Sequence, residues 1–279
     1  MRTLRAVLAS AWVGWEREVG WTNPVLGLLI RAAPLVATVL TAAIIYWFSS
    51  TRAGFFNPER LAFVVVGASL YAHVGAYAWL PTSAIAEGKW SNIFAHLYIS
   101  PASSLPYLLG RGLASFVSSV PIVTLCIAAC YYVSPSLFQT ALPLTTTPTS
   151  ALMVSAALLA NFPAAMGLGF LLAAQAIFVG KFEWALPSYI SGILMIFSEA
   201  LFPAGALPWP LPLISNALPF TYLMRASRAA LIPGSPDDYP TALLYLLVGG
   251  FALLALGLGV FRQSEARARR NGLLDRKVG

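Results

Sequence analysis

The sequence predicts an all-α integral membrane protein built from six transmembrane helices, and three observations predict it. Hydrophobic residues make up 58% of the 279 residues and charged residues only 10%, against about 25% charged in an ordinary soluble domain. The apolar residues gather in six runs of the ~20 residues that a spanning helix needs. Lys and Arg fall unevenly between the two sets of connecting segments, as the positive-inside rule requires. Six runs leave little chain for a soluble domain, so residues 1–279 read as one membrane domain: an interfacial helix over 1–22, a six-span bundle over 25–261 and a basic tail over 262–279.

The spans take their order from the runs and their punctuation. The first covers about 25–48 and the second about 60–83. Asn57-Pro58-Glu59 leads into the second: Asn caps, Pro suits the first helical position, and Glu favours the positive helix end. The third covers about 105–133, the fourth 150–178 and the fifth 185–204. The sixth, about 239–261, follows another start signal, Ser235-Pro236-Asp237-Asp238. One set of connections, with both termini, carries eleven Lys and Arg, six of them in the tail, and the other set carries four. Both termini are therefore expected in the cytoplasm of a cell whose plasma membrane the chain crosses. Glu16, Arg17 and Glu18 interrupt the run that would form a cleavable signal peptide.

The connecting segments differ in character. Leu4, Val7, Leu8, Ala11, Trp12, Trp15 and Val19 recur at helical spacing among charged residues. That pattern predicts an amphipathic helix in the cytoplasmic interface. The stretch 203–234 holds six prolines, too broken for a span and too apolar for a common loop. Irregular backbone at membrane depth must be buried in protein or line a wet cavity. It is expected to form short external re-entrant helices, with Arg225 and Arg228 turned to the outer surface. Small residues at spacing four, such as Ala160 and Ala164 or Ala255 and Gly259, let helices approach closely.

Little in the chain suggests catalysis. Gly88-Lys89 and Gly180-Lys181 lack the first glycine and the hydroxyl of a phosphate loop. The two histidines, His73 and His96, form no zinc motif, and Cys126 and Cys130 read as small packing residues. The net charge of +7 sits at membrane edges and in the tail, which does not suggest nucleic acid; the tail fits the anionic inner leaflet or simple solvation. Arg31 and Arg111 lie inside apolar runs and are expected to snorkel toward the headgroups. A charge at mid-membrane costs about 2.5–3.5 kcal/mol, so Glu199, in the outer part of span five, stands out. It reads either as a partner of Arg225 or Arg228 or as a residue of a substrate path. His73, in span two, reads either as a packed, hydrogen-bonded group or as part of the same path, to which Arg225 would also belong.

The segment Glu87-Gly88-Lys89-Trp90-Ser91-Asn92-Ile93-Phe94-Ala95-His96-Leu97-Tyr98-Ile99-Ser100-Pro101 is a polar, helix-like island between two apolar runs. Its acidic-Gly start, its apolar positions at helical spacing and its Ser-Pro lead into span three, followed by Tyr107-Leu108-Leu109-Gly110-Arg111, carry one half of a resemblance. Phe202-Pro203-Ala204-Gly205-Ala206-Leu207-Pro208 and Leu218-Pro219-Phe220-Thr221-Tyr222-Leu223, with Arg225 and Arg228, carry the other. In this order, and with six spans, the chain resembles the type-2 permeases of ATP-binding-cassette transporters. It departs from the family where Leu218-Pro219-Phe220 replaces the usual Asn-Pro before Thr-Tyr, and where the island is unusually aromatic.

The resemblance implies an exporter subunit for an amphiphilic drug, lipid or lipid-linked glycan. Its partners would be a separate ATPase subunit, a second permease chain (a copy or a paralogue) and membrane lipids. ATP and magnesium would be bound by the ATPase, with no cofactor and no catalytic residue on this chain. The island would be the coupling helix, with Glu87, Gly88, Lys89, Trp90, Ile93, His96 and Leu97 at the ATPase contact. Two other readings compete: a membrane anchor that holds an ATPase without transport, and an intramembrane enzyme using Glu199, His73 or Arg225.

Overall fold

A computed structural model describes residues 2–90, 104–178 and 185–271; side chains at 2, 78–81, 89 and 90 are outside the description. Among the described residues the chain is helical, with no strand. The helices are α1 (Arg2–Trp15), α2 (Pro24–Arg52), α3 (Pro58–Trp90), α4 (Leu105–Phe138), α5 (Pro148–Phe178), α6 (Ala185–Phe197), α7 (Leu211–Ala217), α8 (Pro219–Leu231) and α9 (Tyr239–Arg270). One widened turn, Glu16–Gly20, continues α1.

Five of these helices, α2, α3, α4, α5 and α9, are long and apolar enough to cross a membrane. Across the expected fifth span, 185–204, the α-helix is α6 alone, 13 residues long and too short alone to cross. Residues 179–184 before it lie outside the described residues. Local chemistry sets several helix starts. The Asn23 side chain accepts Val25 N–H ahead of Pro24, Asn57 Oδ1 accepts Glu59 N–H at 2.7 Å, and Asp238 accepts Thr241 N–H at 3.1 Å. Each satisfies a backbone donor that a helix start leaves open.

Helices α3 and α5 form the centre. In their most apolar windows 71% and 72% of residues are buried, against 17% in α2 and α9. The outer helices turn Val25, Ile45, Phe48, Leu244, Val248 and Phe251 outward. Apolar surface of that extent suits lipid. α9 lies against α5 backbone to backbone: a Cβ at Gly257 would fall 2.2 Å from Gly167 O, and one at Gly250 would meet Ala164. The small residues at 160 and 164 thus pack inside the bundle, whereas Gly259 has open space around it.

Three expectations change. The N-terminal helix, expected at the interface, packs on α4, where a Cβ at Gly110 would strike Val7 O at 2.4 Å and one at Gly14 would meet Ala114 and Arg111. Two glycines and a run of small side chains let the helices touch. The helix of the expected sixth span does not end near 261: α9 continues as helix to Arg270, into the expected tail. Glu265 anchors the extension by accepting from Ser104 Oγ at 3.0 Å and from Arg269 at 3.0 Å. The island does not begin as a separate helix either. Glu87 to Trp90 prolong α3 without a break, because nothing there ends a helix.

Candidate functional site

Two polar clusters lie at opposite ends of the bundle. At the end that carries α1, Glu87 sits on the last turn of α3. Its Oε2 accepts Arg17 Nη1 at 2.6 Å and Arg111 Nη2 at 3.3 Å. The carboxylate thereby joins the turn after α1, the end of α3 and the start of α4. The two arginines differ in setting: the Arg17 side chain is 42% exposed and that of Arg111 only 4%. A second carboxylate, Glu18, pairs with Arg31 of α2 and accepts Ser118 Oγ of α4 at 3.0 Å. Arg31 and Arg111 therefore do not merely snorkel toward headgroups. Each meets a carboxylate of the chain, Glu18 for Arg31 and the half-exposed Glu87 for Arg111, which offsets part of the cost of holding a charge out of water. Val19 O fills the space beside Gly27 so closely that a Cβ there would lie 2.3 Å away.

The other expected contact residues of the island are only partly visible. Gly88 is buried on α3, and Lys89 and Trp90 end that helix. Ile93, His96 and Leu97 lie outside the described residues.

The cluster at the far end is built on Glu199, just past α6. Its backbone takes φ +59°, a conformation that costs a non-glycine residue about 1–2 kcal/mol. The bend turns the side chain back into the protein. Its carboxylate accepts Arg225 Nε at 3.0 Å and Nη2 at 2.6 Å, and Ala204 N–H at 3.0 Å. Of the two readings of Glu199, the ion pair is the one seen. Arg225 also donates to Asn216 Oδ1 at 2.8 Å and lies over the Tyr222 ring.

Arg228 corrects the expectation that both arginines face outward. It is 1% exposed and stacks on Phe63, its guanidinium carbon 3.3 Å from the ring centroid. Nη2 donates to the carbonyls of Phe63, Glu199 and Ala200. Its nearest carboxylate contact is Nη1 to Glu199 Oε2 at 4.0 Å. Spacing of three on a 13-residue helix does not reveal which arginine is buried; the structural counterpart is Gly67, where a Cβ would meet Ala200 O at 1.9 Å and Arg228 Nη2 at 2.4 Å.

His73 joins neither cluster. It is buried, with Nδ1 2.6 Å from Ser119 Oγ and edge-on contacts to Tyr77 and Phe116. This is the packed, hydrogen-bonded alternative. Cys126 and Cys130 are free and buried. Among the described residues no group of three His, Cys, Asp or Glu could hold a metal.

Two cavities accompany these elements. One, of about 660 Å3, lies at the far end between the start of α3 and the segments around 201–206 and 232–237. The other, about 470 Å3, is a groove between α4 and α5, lined by Val123, Ile127, Tyr131, Thr147 and Leu158 among others.

The fold and its clusters define a helical protein with several helices able to cross a membrane. No family model matches the chain, and no curated protein matches it.

Proposed function

We propose that the chain is the membrane subunit of an ATP-binding-cassette exporter of the type-2 class, with six spans and both termini in the cytoplasm. It carries an amphiphilic drug, lipid or lipid-linked glycan, and ATP is hydrolysed with magnesium on a separate subunit. The observation that carries this reading is the junction at Glu87. An island that receives force from a partner must be rigidly joined to the helices it moves. Glu87 ties the start of the island to α1 through Arg17 and to α4 through Arg111. One helix runs from Pro58 to Trp90, so a push on the island would be carried along it toward the far end. Closure of two ATPases would then rock the helices of two permease chains as rigid bodies. The groove between α4 and α5, apolar with a rim of Thr and Tyr, suits an amphiphile arriving from the lipid side.

The test is purification of tagged chain from its native membrane in mild detergent. An ATP-binding subunit should accompany it in equal amount. Trp90→Ala and Ile93→Ala should release that subunit while the permease stays monodisperse. Glu87 variants are poor probes of docking, since they also break contacts within the chain. A chain that purifies without any ATPase, under conditions that hold other such complexes together, overturns the reading.

A further inference from the structure

The far-end cavity has a composition that the transport reading does not use. Its walls divide into two zones. Tyr46 of α2, Phe63 and Val64 of α3 and Leu201 of the segment after α6 make an apolar side, while Arg228, Asp237, Glu59 and Arg60 supply charge. The charge is not evenly paired. Arg225 already holds the Glu199 carboxylate through two hydrogen bonds, so Glu199, Arg225 and Arg228 together carry one net positive charge. Arg228 is the member left over. Its Nη2 is occupied by backbone carbonyls, but Nε and Nη1 have no hydrogen-bond partner among the described residues, although the side chain is 1% exposed. A buried guanidinium with free donors costs stability unless something accepts them. A phosphate or carboxylate oxygen that reaches Nη1 or Nε gains a charge-assisted hydrogen bond from it. Asp237 and Glu59 stand on the same cavity with Arg60, giving the mouth one net negative charge. A positive inner wall and a negative mouth beside an apolar side describe a site for a dipolar head on an apolar chain.

We propose that this cavity binds a zwitterionic amphiphile, its phosphate or carboxylate against Arg228, its ammonium toward Asp237 and Glu59, and its chain along Tyr46, Phe63 and Val64. The site does not depend on the exporter reading. It is read on this chain alone, without an ATPase, so each can fail while the other stands.

The experiment uses the full chain in a maltoside detergent and native mass spectrometry. Dioctanoyl phosphatidylethanolamine is the probe. Dioctanoylglycerol has the tails without the charges, and glycerophosphoethanolamine has the head without the tails. Wild type should retain one phosphatidylethanolamine and neither control. Asp237→Asn should weaken binding about tenfold, the loss of one charge-assisted contact. Ala206→Trp, which fills the cavity from its rim, should abolish it. Both variants must stay monodisperse and unfold cooperatively at the pH of the assay, and neither touches the Glu199–Arg225 pair. Equal retention of dioctanoylglycerol, or unchanged binding in both variants, overturns the proposal. Binding of glycerophosphoethanolamine as tight as that of the lipid would overturn the amphiphile and leave a site for a free head group.

Discussion

Glu199 and Arg225 form a two-pronged ion pair, Nε to Oε2 at 3.0 Å and Nη2 to Oε1 at 2.6 Å, around a Glu199 backbone held in the left-handed region. The strain and the pair belong together, since the unusual φ aims the carboxylate inward. Glu199→Gln would leave Arg225 and the buried Arg228 without their counter-charge. Removing one partner of a buried pair costs about 3–5 kcal/mol. The detergent-solubilised variant should therefore melt well below wild type. Glu199→Gly relieves about 1–2 kcal/mol of backbone strain but loses the same pair, and should also be destabilised. A Glu199→Gly variant as stable as wild type would show that the pair contributes no more than the strain it offsets, about 1–2 kcal/mol.

The Glu87 junction should respond unequally to its two arginines. Arg17 is 42% exposed, so water replaces much of what the carboxylate gives it. Arg17→Gln should cost less than about 1 kcal/mol. Arg111 is 4% exposed, and its Nε and Nη1 have no hydrogen-bond partner among the described residues. Glu87→Gln removes a charge from that guanidinium and should cost more than Arg17→Gln by a clear margin. Parallel melting curves of the two variants decide it. Equal shifts would mean that the exposed pair holds the junction.

The hydrophobic spans were legible because length and apolarity are local properties. Asn57-Pro58 and Asp238 were legible for the same reason: a cap needs only its own first turn. The Glu199 pair was legible in part, because a carboxylate in an apolar run needs a partner and two arginines followed. What escaped were the close approaches. Gly110 against α1 and Gly67 against the 199–200 carbonyls depend on helices far apart in sequence, and one glycine in an apolar run does not name its neighbour. The burial of Arg228 follows from one of those approaches and was hidden with it. Glu18 was read as a charge that interrupts a signal peptide. Its pairing with Arg31 needed the turn after α1 to fold back on α2.

Asp237 gives a pH dependence whose sign is fixed. It lies in the loop before α9, outside the spanning helices. Burial, then the nearby Glu199 carboxylate, raises its pKa above the usual 3.8, against the pull of Arg225 and Arg228. An acid with a raised folded pKa binds its proton more tightly folded than unfolded. Its contribution is therefore fully present below 3.8 and lost as pH rises through the folded value. Wild type should lose melting temperature relative to Asp237→Asn across that window, and the two curves should run parallel above it. A gap that widens as the pH falls would reverse the sign.

Gly67 is the sharpest steric test. It lies on α3 where the 199–200 backbone and the Arg228 guanidinium converge, and a Cβ there would fall 1.9 Å from Ala200 O and 2.4 Å from Arg228 Nη2. Neither neighbour is free to yield. Ala200 O accepts from Arg228, and the guanidinium is pinned between the Phe63 ring and three carbonyls. Gly67→Ala must push the Glu199 turn off α3 or expel Arg228 from its stack. Overpacking of a well-packed site costs about 1–3 kcal/mol, more when backbone must move. The variant should show reduced extraction as monodisperse protein and a lowered melting temperature. Gly259→Ala on α9 is the control, since nothing lies within 4 Å of its added Cβ. Alanine is also the better helix former by about 1 kcal/mol, so Gly259→Ala should match or exceed wild type. If both substitutions were equally tolerated, α3 would not lie against the 199–200 backbone, and Arg228 would lose the wall that holds it inside.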